Sequence, residues 1–438
     1  MKIPSEVKNI LTKLQATGFE AYAVGGCVRD LLSGQEPKDW DVATNALPEQ
    51  IQLIFPDSFY ENKFGTVSVK AQCCHPESPS GGEGSKKDSS LRSRSAQNDK
   101  KSDLAAGDGI EFVEVTTYRV DEKYTDKRHP DAVSFTRKLE DDLARRDFTI
   151  NAMALRLRSG QAPEIVDPFK GQEDLKNNLI RTVGEPDKRF NEDALRMLRA
   201  VRFAVELPFF CSHPDPAVAE EGSKKDSSLR SRFIQNDEKE KNQAAVKQVS
   251  QKDVKQSFTP LEILEDSEGA KYAKQKLLTG FTIESKTKEA IKNNAAWLQA
   301  IAKERVRDEF VKIIMSDQSD EGVLLLHELG LLEFIIPEFT KGFGVAQNKH
   351  HIYSIFEHGV FSLKFATHPP KISKRNFDEA EKKNNLIIRL AALLHDVAKP
   401  QAKRGEGENA TFYNHDIMGA RASARILERL RFDNETIE

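Results

Sequence analysis

The sequence predicts an α+β fold, in which a mixed or antiparallel sheet occupies the first third of the chain and helices follow it. Strand-like alternation of apolar residues is found before residue 155. After Asp167, apolar residues recur at helical spacing almost throughout. At 438 residues the chain is also too long for one ordinary core, so several domains are expected. We place them at residues 1–155, 156–340 and 341–438.

The elements of the first domain alternate between helix and strand. Val7, Ile10, Leu11 and Leu14 share one face of a helix predicted within residues 4–19. The patterns then predict, in order, a strand at 21–24, a helix from 28, a strand at 39–44, a helix at 48–55, and strands at 64–69 and 110–117. Beyond this domain we expect helices at 173–183, 190–207, 285–301, 303–315 and 320–333, and histidine-bearing helices from about residue 344.

The overall composition excludes several classes of protein. A net charge of −3 gives no global basic field, so a nucleic-acid partner would need local basic patches. No run of about 18 apolar residues occurs, so neither a membrane span nor a secretory signal is expected. The four cysteines contain no Cys-x-x-Cys pair, which argues against a disulfide framework and favours the cytoplasm.

Two polar segments are near copies of each other. Residues 73–101 align without a gap on residues 211–239, and both contain Glu-Gly-Ser-Lys-Lys-Asp-Ser-Ser-Leu-Arg-Ser-Arg. Segments so rich in Ser, Lys and Gly bury too little apolar surface to offset the entropy of ordering. We therefore predict disordered insertions at about 73–107 and 208–280. The less favoured alternative is a metal site built from their Cys and His side chains: Cys73, Cys74, His75, Cys211 and His213.

The clearest functional signal is a glycine pair followed by two aspartates. Gly25 and Gly26 stand between a predicted strand and a predicted helix, where glycine lets backbone N–H groups approach an anion closely. Arg29, in that helix, can bind phosphate oxygens with its guanidinium group. Asp39 and Asp41 lie two residues apart, so an extended strand would place both carboxylates on one face. There they can hold one or two Mg²⁺ ions against a nucleoside triphosphate, which favours nucleotidyl transfer.

A second motif places Arg146 and Asp147 beside an apolar run. In the simpler interpretation this is a surface ion pair, with Asp147 at the start of a helix. In the alternative, Arg146 holds a phosphate or a base, and Asp147 accepts a hydrogen bond from a ribose hydroxyl.

A stripe of one aspartate and three arginines lies on a predicted helix. Its members are spaced three residues apart, so consecutive ones lie close together: Asp193, Arg196, Arg199 and Arg202. Such pairs are ordinarily weak surface salt bridges. An aspartate with an arginine also matches the pairing edges of cytosine and adenine, and it rejects the reversed edges of uracil and guanine. The stripe therefore also predicts a protein template that selects C and A.

With these motifs the chain resembles the class II tRNA nucleotidyltransferases, the CCA-adding and poly(A) polymerase family of the polymerase-β-like superfamily. The resemblance covers nearly the whole chain outside the two insertions. It rests on six motifs in order: Gly-Gly-Cys-Val-Arg-Asp (25–30), Asp-Trp-Asp-Val-Ala-Thr (39–44), Arg-Arg-Asp-Phe-Thr-Ile-Asn-Ala-Met (145–153), Asp-Pro-Phe-Lys-Gly-Gln-Glu-Asp-Leu (167–175), Glu-Asp-Ala-Leu-Arg (192–196) and Glu-Arg-Val-Arg-Asp-Glu (304–309). It implies a polymerase-β-like nucleotidyltransferase head, an all-helical neck and a helical HD-type domain.

The resemblance also implies roles for individual residues. Asp39 and Asp41 would be catalytic and carry two Mg²⁺ ions, with Glu114 as a third catalytic carboxylate. The nucleotide-binding residues would be Gly25, Gly26, Arg29, Arg146, Asp147, Asp193, Arg196, Arg199 and Arg202. Among these, Asp193 and Arg196 would read the incoming base. Residues 117–130 resemble the flexible loop that the family needs for the final A addition.

The last part of the chain carries histidines in apolar helices. The adjacent pair His395-Asp396, with His358 before it and His415 after it, is typical of an HD domain, a helical metal-dependent phosphohydrolase fold. His358, His395 and Asp396 would hold a second divalent metal, with His415 as a further candidate. We expect this domain to be incomplete at Glu438. Hydrolytic, tRNA-contacting and structural roles all stay open.

These observations give a hypothesis with named alternatives. The hypothesis is a cytoplasmic, Mg²⁺-dependent enzyme that adds CCA to the 3′ end of tRNA from CTP and ATP, releases pyrophosphate and grips the acceptor arm. The nearest alternative is a poly(A) polymerase or an A-adding partner enzyme. An inactive RNA-binding protein and an HD phosphohydrolase with a nucleotide-binding head are alternatives of other classes.

Overall fold

The computed structural model describes residues 2–60, 65–70, 112–121, 133–158, 160–210, 280–348, 351–367 and 379–438. The chain divides into two compact units, Met1–Gln172 and Glu173–Glu438. The two predicted insertions lie outside the described residues, apart from positions 208–210 and 280, and so does the part of the predicted loop from 122 to 130. The domain boundaries placed at 155 and 340 stay predictions.

The first unit is built around a seven-stranded mixed sheet, as the sequence predicts. The strands of the unit are Ala21–Val24 (β1), Asp41–Thr44 (β2), Ser58–Tyr60 (β3), Thr66–Lys70 (β4), Phe112–Thr117 (β5), Arg119–Asp121 (β6), Val133–Phe135 (β7), Ala154–Arg156 (β8) and Glu164–Val166 (β9). Their order in the sheet is β3-β4-β5-β2-β1-β8-β9, while β6 and β7 form a separate pair. β2 and β5 run parallel and the other neighbours run antiparallel.

Successive residues of a strand point to opposite faces of the sheet, and here both faces carry apolar residues that pack against helices. The helices are Ser5–Ala16 (α1), Gly26–Leu32 (α2), Pro48–Ile54 (α3) and Leu139–Ala144 (α4). A further helix, Gly171–Lys176 (α5), begins in this unit and continues past its last residue, Gln172. The buried face of α1, with Val7 and Leu11, packs in one cluster with Ala23 and Val42. Tyr22, Val24 and Ala43 belong to a second cluster with Leu143 of α4. Asp41 therefore lies on this second face, because it is two residues from Ala43.

The motif at 167–175 has a packing explanation. Both carboxylate oxygens of Asp167 accept hydrogen bonds at the start of α5, from the backbone N–H of Gly171 at 2.7 Å and of Gln172 at 2.9 Å. A Cβ at position 171 would lie 2.2 Å from the carbonyl oxygen of Thr149, so only glycine fits there. The motif thus fixes the segment that ends the first unit.

The second unit is mainly helical, which confirms the predicted helical character. Its helices are Pro186–Glu192 (α6), Leu195–Glu206 (α7), Ser285–Asn294 (α8), Lys303–Met315 (α9), Ser319–Glu328 (α10), Leu332–Ile335 (α11), Pro337–Thr340 (α12), Ile355–Thr367 (α13), Glu379–Leu394 (α14), Lys399–Ala402 (α15), His415–Arg429 (α16) and Asn434–Ile437 (α17). In the described ranges no helix is long and apolar enough to cross a membrane.

The predicted helix over 173–183 is wrong beyond Lys176. Asn178 adopts a left-handed backbone with φ of 51°, which ends α5. The chain then forms a two-residue strand, Leu179–Ile180 (β10), that pairs in parallel with Thr282–Ile283 (β11). This short pair is an addition to an otherwise helical unit.

Candidate active site

The carboxylates Asp41 and Glu114 lie in one row across the central strands. Asp41 pairs with Val24 of β1 and with Glu114 of β5, which pairs in turn with Ser68 of β4. Directly paired residues point to the same face of a sheet, so both carboxylates share the face described above. Asp39 does not belong to the strand: β2 begins at Asp41, and Asp39 lies in the bend before it.

The carboxyl group of Asp41 is influenced by burial and by two neighbouring charges. Burial raises the pKa of its carboxyl group, the nearby guanidinium of Arg146 lowers it, and the charge of Asp39 raises it again. Asp39 and Asp41 are therefore close enough to repel each other, and a hard cation between their oxygens would relieve that repulsion. Among the described residues, Asp39, Asp41 and Glu114 do not form a group of three whose oxygens all lie within 4.8 Å of one another. The third carboxylate stays a prediction.

The glycine turn lies next to the row of carboxylates, because Gly25 follows Val24, the residue of β1 that pairs with Asp41. Gly25 has φ of 81°, a left-handed conformation that a residue with a Cβ adopts only at a cost. A Cβ on Gly25 would also lie 2.6 Å from Nη1 of Arg146 and 3.8 Å from Oδ2 of Asp41. The turn thus favours glycine at this position, and the guanidinium of Arg146 lies against it. Gly26 is the first residue of α2.

Arg29 and Asp147 are linked through a residue to which the sequence analysis assigned no role, Asn151. Arg29 donates from Nη1 to Oδ1 of Asn151 at 2.7 Å and from Nε to Asp30 at 2.8 Å. Asn151 donates from Nδ2 to Oδ1 of Asp147 at 3.1 Å, and the N–H of Phe148 donates to the same oxygen at 2.8 Å. The sequence offered only their separation of four residues as a signal for this contact.

Arg146 is held by a second residue without a predicted role, Asp142 of α4. Oδ1 of Asp142 accepts from Nε and Nη2 of Arg145 at 3.0 and 2.8 Å, and Oδ2 lies 3.4 Å from Nη2 of Arg146. Burial acts against ionisation of this carboxyl, but the two guanidinium groups outweigh it and lower its pKa. The separations of three and four residues from Asp142, near the end of α4, were a usable signal for these contacts.

In the second unit, Asp193 and Arg196 are held by different partners. The predicted continuous helix over 190–207 is broken at Asp193, which lies between α6 and α7. Asp193 accepts from the N–H of Leu195 at 3.0 Å and from Nη2 of Arg305 at 2.7 Å. Arg196 donates to the carboxylate of Glu192 and, at 3.0 Å, to the carbonyl oxygen of Arg189. Arg305 belongs to the motif at 304–309, so this motif contributes the arginine that binds Asp193.

The two remaining arginines of the stripe pack on one aromatic ring. The guanidinium carbons of Arg199 and Arg202 lie 5.3 and 4.5 Å from the ring centre of Phe203. Arg202 is buried, and its Nε lies 3.2 Å from Oε2 of Glu309 on α9. Arg202 therefore joins two helices, and the predicted role of both arginines toward a nucleotide stays a prediction.

A cluster of histidines around Asp396 satisfies the geometry of a metal site. His358, His395 and Asp396 each bring a ligand atom within 4.8 Å of the others. The Nε2 atoms of the two histidines are 3.1 Å apart and lie 3.4 and 3.2 Å from Oδ2 of Asp396. Nε2 of His415 lies 3.7 Å from the other carboxylate oxygen. The structure thus brings together all four residues singled out in this part of the chain.

Backbone contacts orient two of these imidazoles. Nδ1 of His395 lies 2.9 Å from the carbonyl oxygen of Ala392, and Nδ1 of His415 lies 2.6 Å from that of Phe412. A proton on each Nδ1 makes these hydrogen bonds and leaves Nε2 with its lone pair toward Asp396, as in metal-binding histidines. Lys399 also contacts Oδ2 of Asp396, at 2.7 Å, so a bound metal would share this carboxylate with an ammonium group.

Three family descriptions match the chain. "Poly A polymerase head domain" matches residues 21–108 and 83–181. "Probable RNA and SrmB-binding site of polymerase A" matches residues 280–343, and "HD domain" matches residues 364–438. The first match contains the row of carboxylates and the glycine turn, and the last contains two of the histidines around Asp396.

Named relatives are similar to the chain over part of their length. The CCA-adding enzyme of Geobacillus thermodenitrificans is 42% identical over 211 residues, which is 48% of this chain and 42% of that protein. The CCA-adding enzyme of Lactobacillus helveticus is 32% identical over 332 residues, 76% of this chain and 55% of that protein. The chain spans about half the length of these curated relatives. The solved structure "tRNA-processing enzyme (apo form I)" has a TM-score of 0.52 at 18% identity, covering 100% of this chain and 77% of that one, and supports the fold.

Proposed function

We propose that this chain, which belongs to the family of class II tRNA nucleotidyltransferases and poly(A) polymerases with an HD domain, adds CCA to the 3′ end of tRNA. The substrates are CTP, ATP and a tRNA held by its acceptor arm, and the site of action is the cytoplasm. The observation that carries the proposal is Asp41, which is half-buried and lies beside Asp39, Arg146 and the glycine turn. The relatives named CCA-adding enzyme support the choice of product.

The proposed reaction joins the 3′-oxygen of tRNA to the α-phosphorus of the nucleotide and breaks the bond from that phosphorus to pyrophosphate. Asp39 and Asp41 offer the oxygen ligands that Mg²⁺ prefers, and Mg²⁺ bound there would lower the pKa of the attacking hydroxyl and neutralise charge on the phosphates. Arg29 and Arg146 bind and orient the triphosphate beside the turn at Gly25. Asp147 accepts a hydrogen bond from a ribose hydroxyl group.

Base selection is assigned to the second unit. Asp193 presents carboxylate oxygens fixed by Arg305, and Arg196 presents a guanidinium fixed by Glu192. Each group is anchored before a nucleotide binds, so the acceptor and the donor have fixed positions. Fixed positions are needed to distinguish bases by the donors and acceptors on their pairing edges. Arg199 and Arg202 support the phosphate or base contacts.

The test is extension of a tRNA that ends at its discriminator base. With Mg²⁺ and labelled CTP, ATP, UTP or GTP, resolved at single-nucleotide length, we expect C, C and then A, followed by a stop. A ladder of A additions would instead mean a poly(A) polymerase, and addition of A alone to a tRNA ending in CC would mean an A-adding partner enzyme. A chain that binds tRNA without extending it would be an inactive RNA-binding protein.

The histidine cluster is proposed to bind a second divalent metal. The test is calorimetric titration of the chain with Mn²⁺ or Ni²⁺. We expect a metal-binding site that the variants Asp39→Ala and Asp41→Ala retain. The variants His358→Ala and His395→Ala are expected to lose it. Asp416→Asn is the matched control, because this exposed carboxylate lies next to His415 but outside the cluster. Unchanged binding in both histidine variants would contradict the assignment.

A further inference from the structure

Asp142 has a carboxylate that is buried at a position where an apolar side chain would cost less free energy. It lies on α4 between Leu139 and Leu143, with no exposed surface. An isolated charge in such a place is strongly unfavourable, so a buried carboxylate is found where something pairs with it. Here each of its oxygens serves a different guanidinium, Oδ1 that of Arg145 and Oδ2 that of Arg146.

The two arginines differ in what else surrounds them. The Nη1 of Arg145 lies 3.7 Å from Asp121 of β6, so Arg145 joins α4 to a second carboxylate. Arg146 instead reaches the glycine turn and the charge of Asp41. Its Nε is buried and has no hydrogen-bond partner among the described residues. An unsatisfied buried donor costs free energy, so the position of this guanidinium must be stabilised by its other contacts.

We propose that Asp142 is a positioning residue for nucleotide binding, which holds the guanidinium of Arg146 against the glycine turn in the orientation that receives a phosphate group. This inference rests on the proposed function, because it takes the nucleoside triphosphate as the ligand of Arg146. The lowered pKa of Asp142 agrees with it, since the carboxyl stays ionised and keeps both charge-assisted contacts at neutral pH. Arg146 in turn offers a planar fork whose freedom is already restricted, so less conformational entropy is lost on binding.

A purely structural role makes a different prediction. If Asp142 acted only by tying Arg145 to α4, its loss would lower the stability of the unit and leave the nucleotide affinity of the folded protein unchanged. A double-mutant cycle with Arg146 separates the two roles, because a residue that works through Arg146 has no further effect once Arg146 is gone.

The experiment measures the Kd of CTP in the presence of Mg²⁺ for the full chain, together with the thermal midpoint of unfolding. We expect Asp142→Asn to weaken CTP binding at least about tenfold. The same change in an Arg146→Ala background should alter Kd less than about twofold. Asp141→Asn is the matched control: it lies on the same turn of α4, but its carboxylate accepts from Thr136 at 2.8 Å. We expect it to bind CTP as the wild type does.

The outcomes separate this inference from the function on which it rests. No CTP or ATP binding by the wild-type chain would overturn the proposed function, and the inference with it. Wild-type binding together with an unchanged Kd in folded Asp142→Asn, or an equal loss in the Arg146→Ala background, would overturn the role of Asp142 alone. Should Asp142→Asn not fold, Asp142→Glu keeps the charge but displaces it by one methylene. Its CTP affinity is expected to fall, and wild-type affinity would refute the positioning role.

Discussion

Replacing Asp41 by alanine is expected to abolish nucleotidyl transfer and leave the first unit folded. Of the two predicted ligands of the catalytic Mg²⁺ ions, Asp41 is the one that lies on the central sheet, where β2 pairs with β1 and β5. Loss of a carboxylate that holds the catalytic cation removes several kcal/mol of transition-state stabilisation, which corresponds to roughly 10³-fold or more in rate. Single-turnover extension of tRNA at saturating CTP and Mg²⁺ measures this effect directly.

The fold should survive because Asp41 does not stabilise it at neutral pH. Burial raises its pKa, so the charged form is less favourable in the folded chain than in the unfolded one. A group with a raised carboxyl pKa costs stability above the pKa of the unfolded state, and its removal relieves that cost. We therefore expect an unchanged or higher midpoint of thermal unfolding. The control is Glu36→Gln, an exposed carboxylate close in sequence, with wild-type activity expected. Near-wild-type transfer by Asp41→Ala would refute the metal assignment.

Features set by local geometry could be predicted from the sequence. The glycine turn is one, because a strand that runs into two glycines and a helix leaves few backbone choices, and Gly25 indeed has a positive φ. The face of Asp41 is another, because alternation along a strand is fixed. The predicted strand over 39–44 begins two residues too early, because the first paired residue of a strand depends on its neighbouring strands and not on its own sequence alone.

Features that depend on distant contacts could not be read in the same way. Asn151 meets Arg29 across 122 positions of sequence, and no periodicity links them. Asp193 and Arg196 have the spacing of helical neighbours, but the helix begins only at Leu195, so Asp193 turns to Arg305. The histidine cluster shows both cases. The pair His395-Asp396 is adjacent in sequence, whereas His358 lies 37 residues before His395, and only the resemblance to an HD domain predicts that it lies beside them.

Replacing Arg196 by alanine is expected to relax the choice of base more than it weakens binding of the triphosphate. Loss of one good contact to a base edge costs about 1–3 kcal/mol of discrimination. The ratio of kcat/KM for CTP over UTP, and for ATP over GTP, should therefore fall by about 10- to 100-fold. Misaddition of U or G to a tRNA that ends at its discriminator base measures the change.

The anchoring of Arg196 makes this variant a clean test of the protein template. Glu192, the partner of Arg196, also accepts from Arg189 at 2.9 and 3.1 Å, so the alanine variant leaves no unpaired carboxylate and should fold normally. Lys188→Ala is the control, because it removes an exposed positive charge from α6 outside the network. If selection were instead made by the RNA or by the shape of the pocket, the CTP/UTP ratio would be the same in the wild type and in Arg196→Ala. A fall in that ratio without a matching rise in the KM for CTP places the discrimination on the side chain itself.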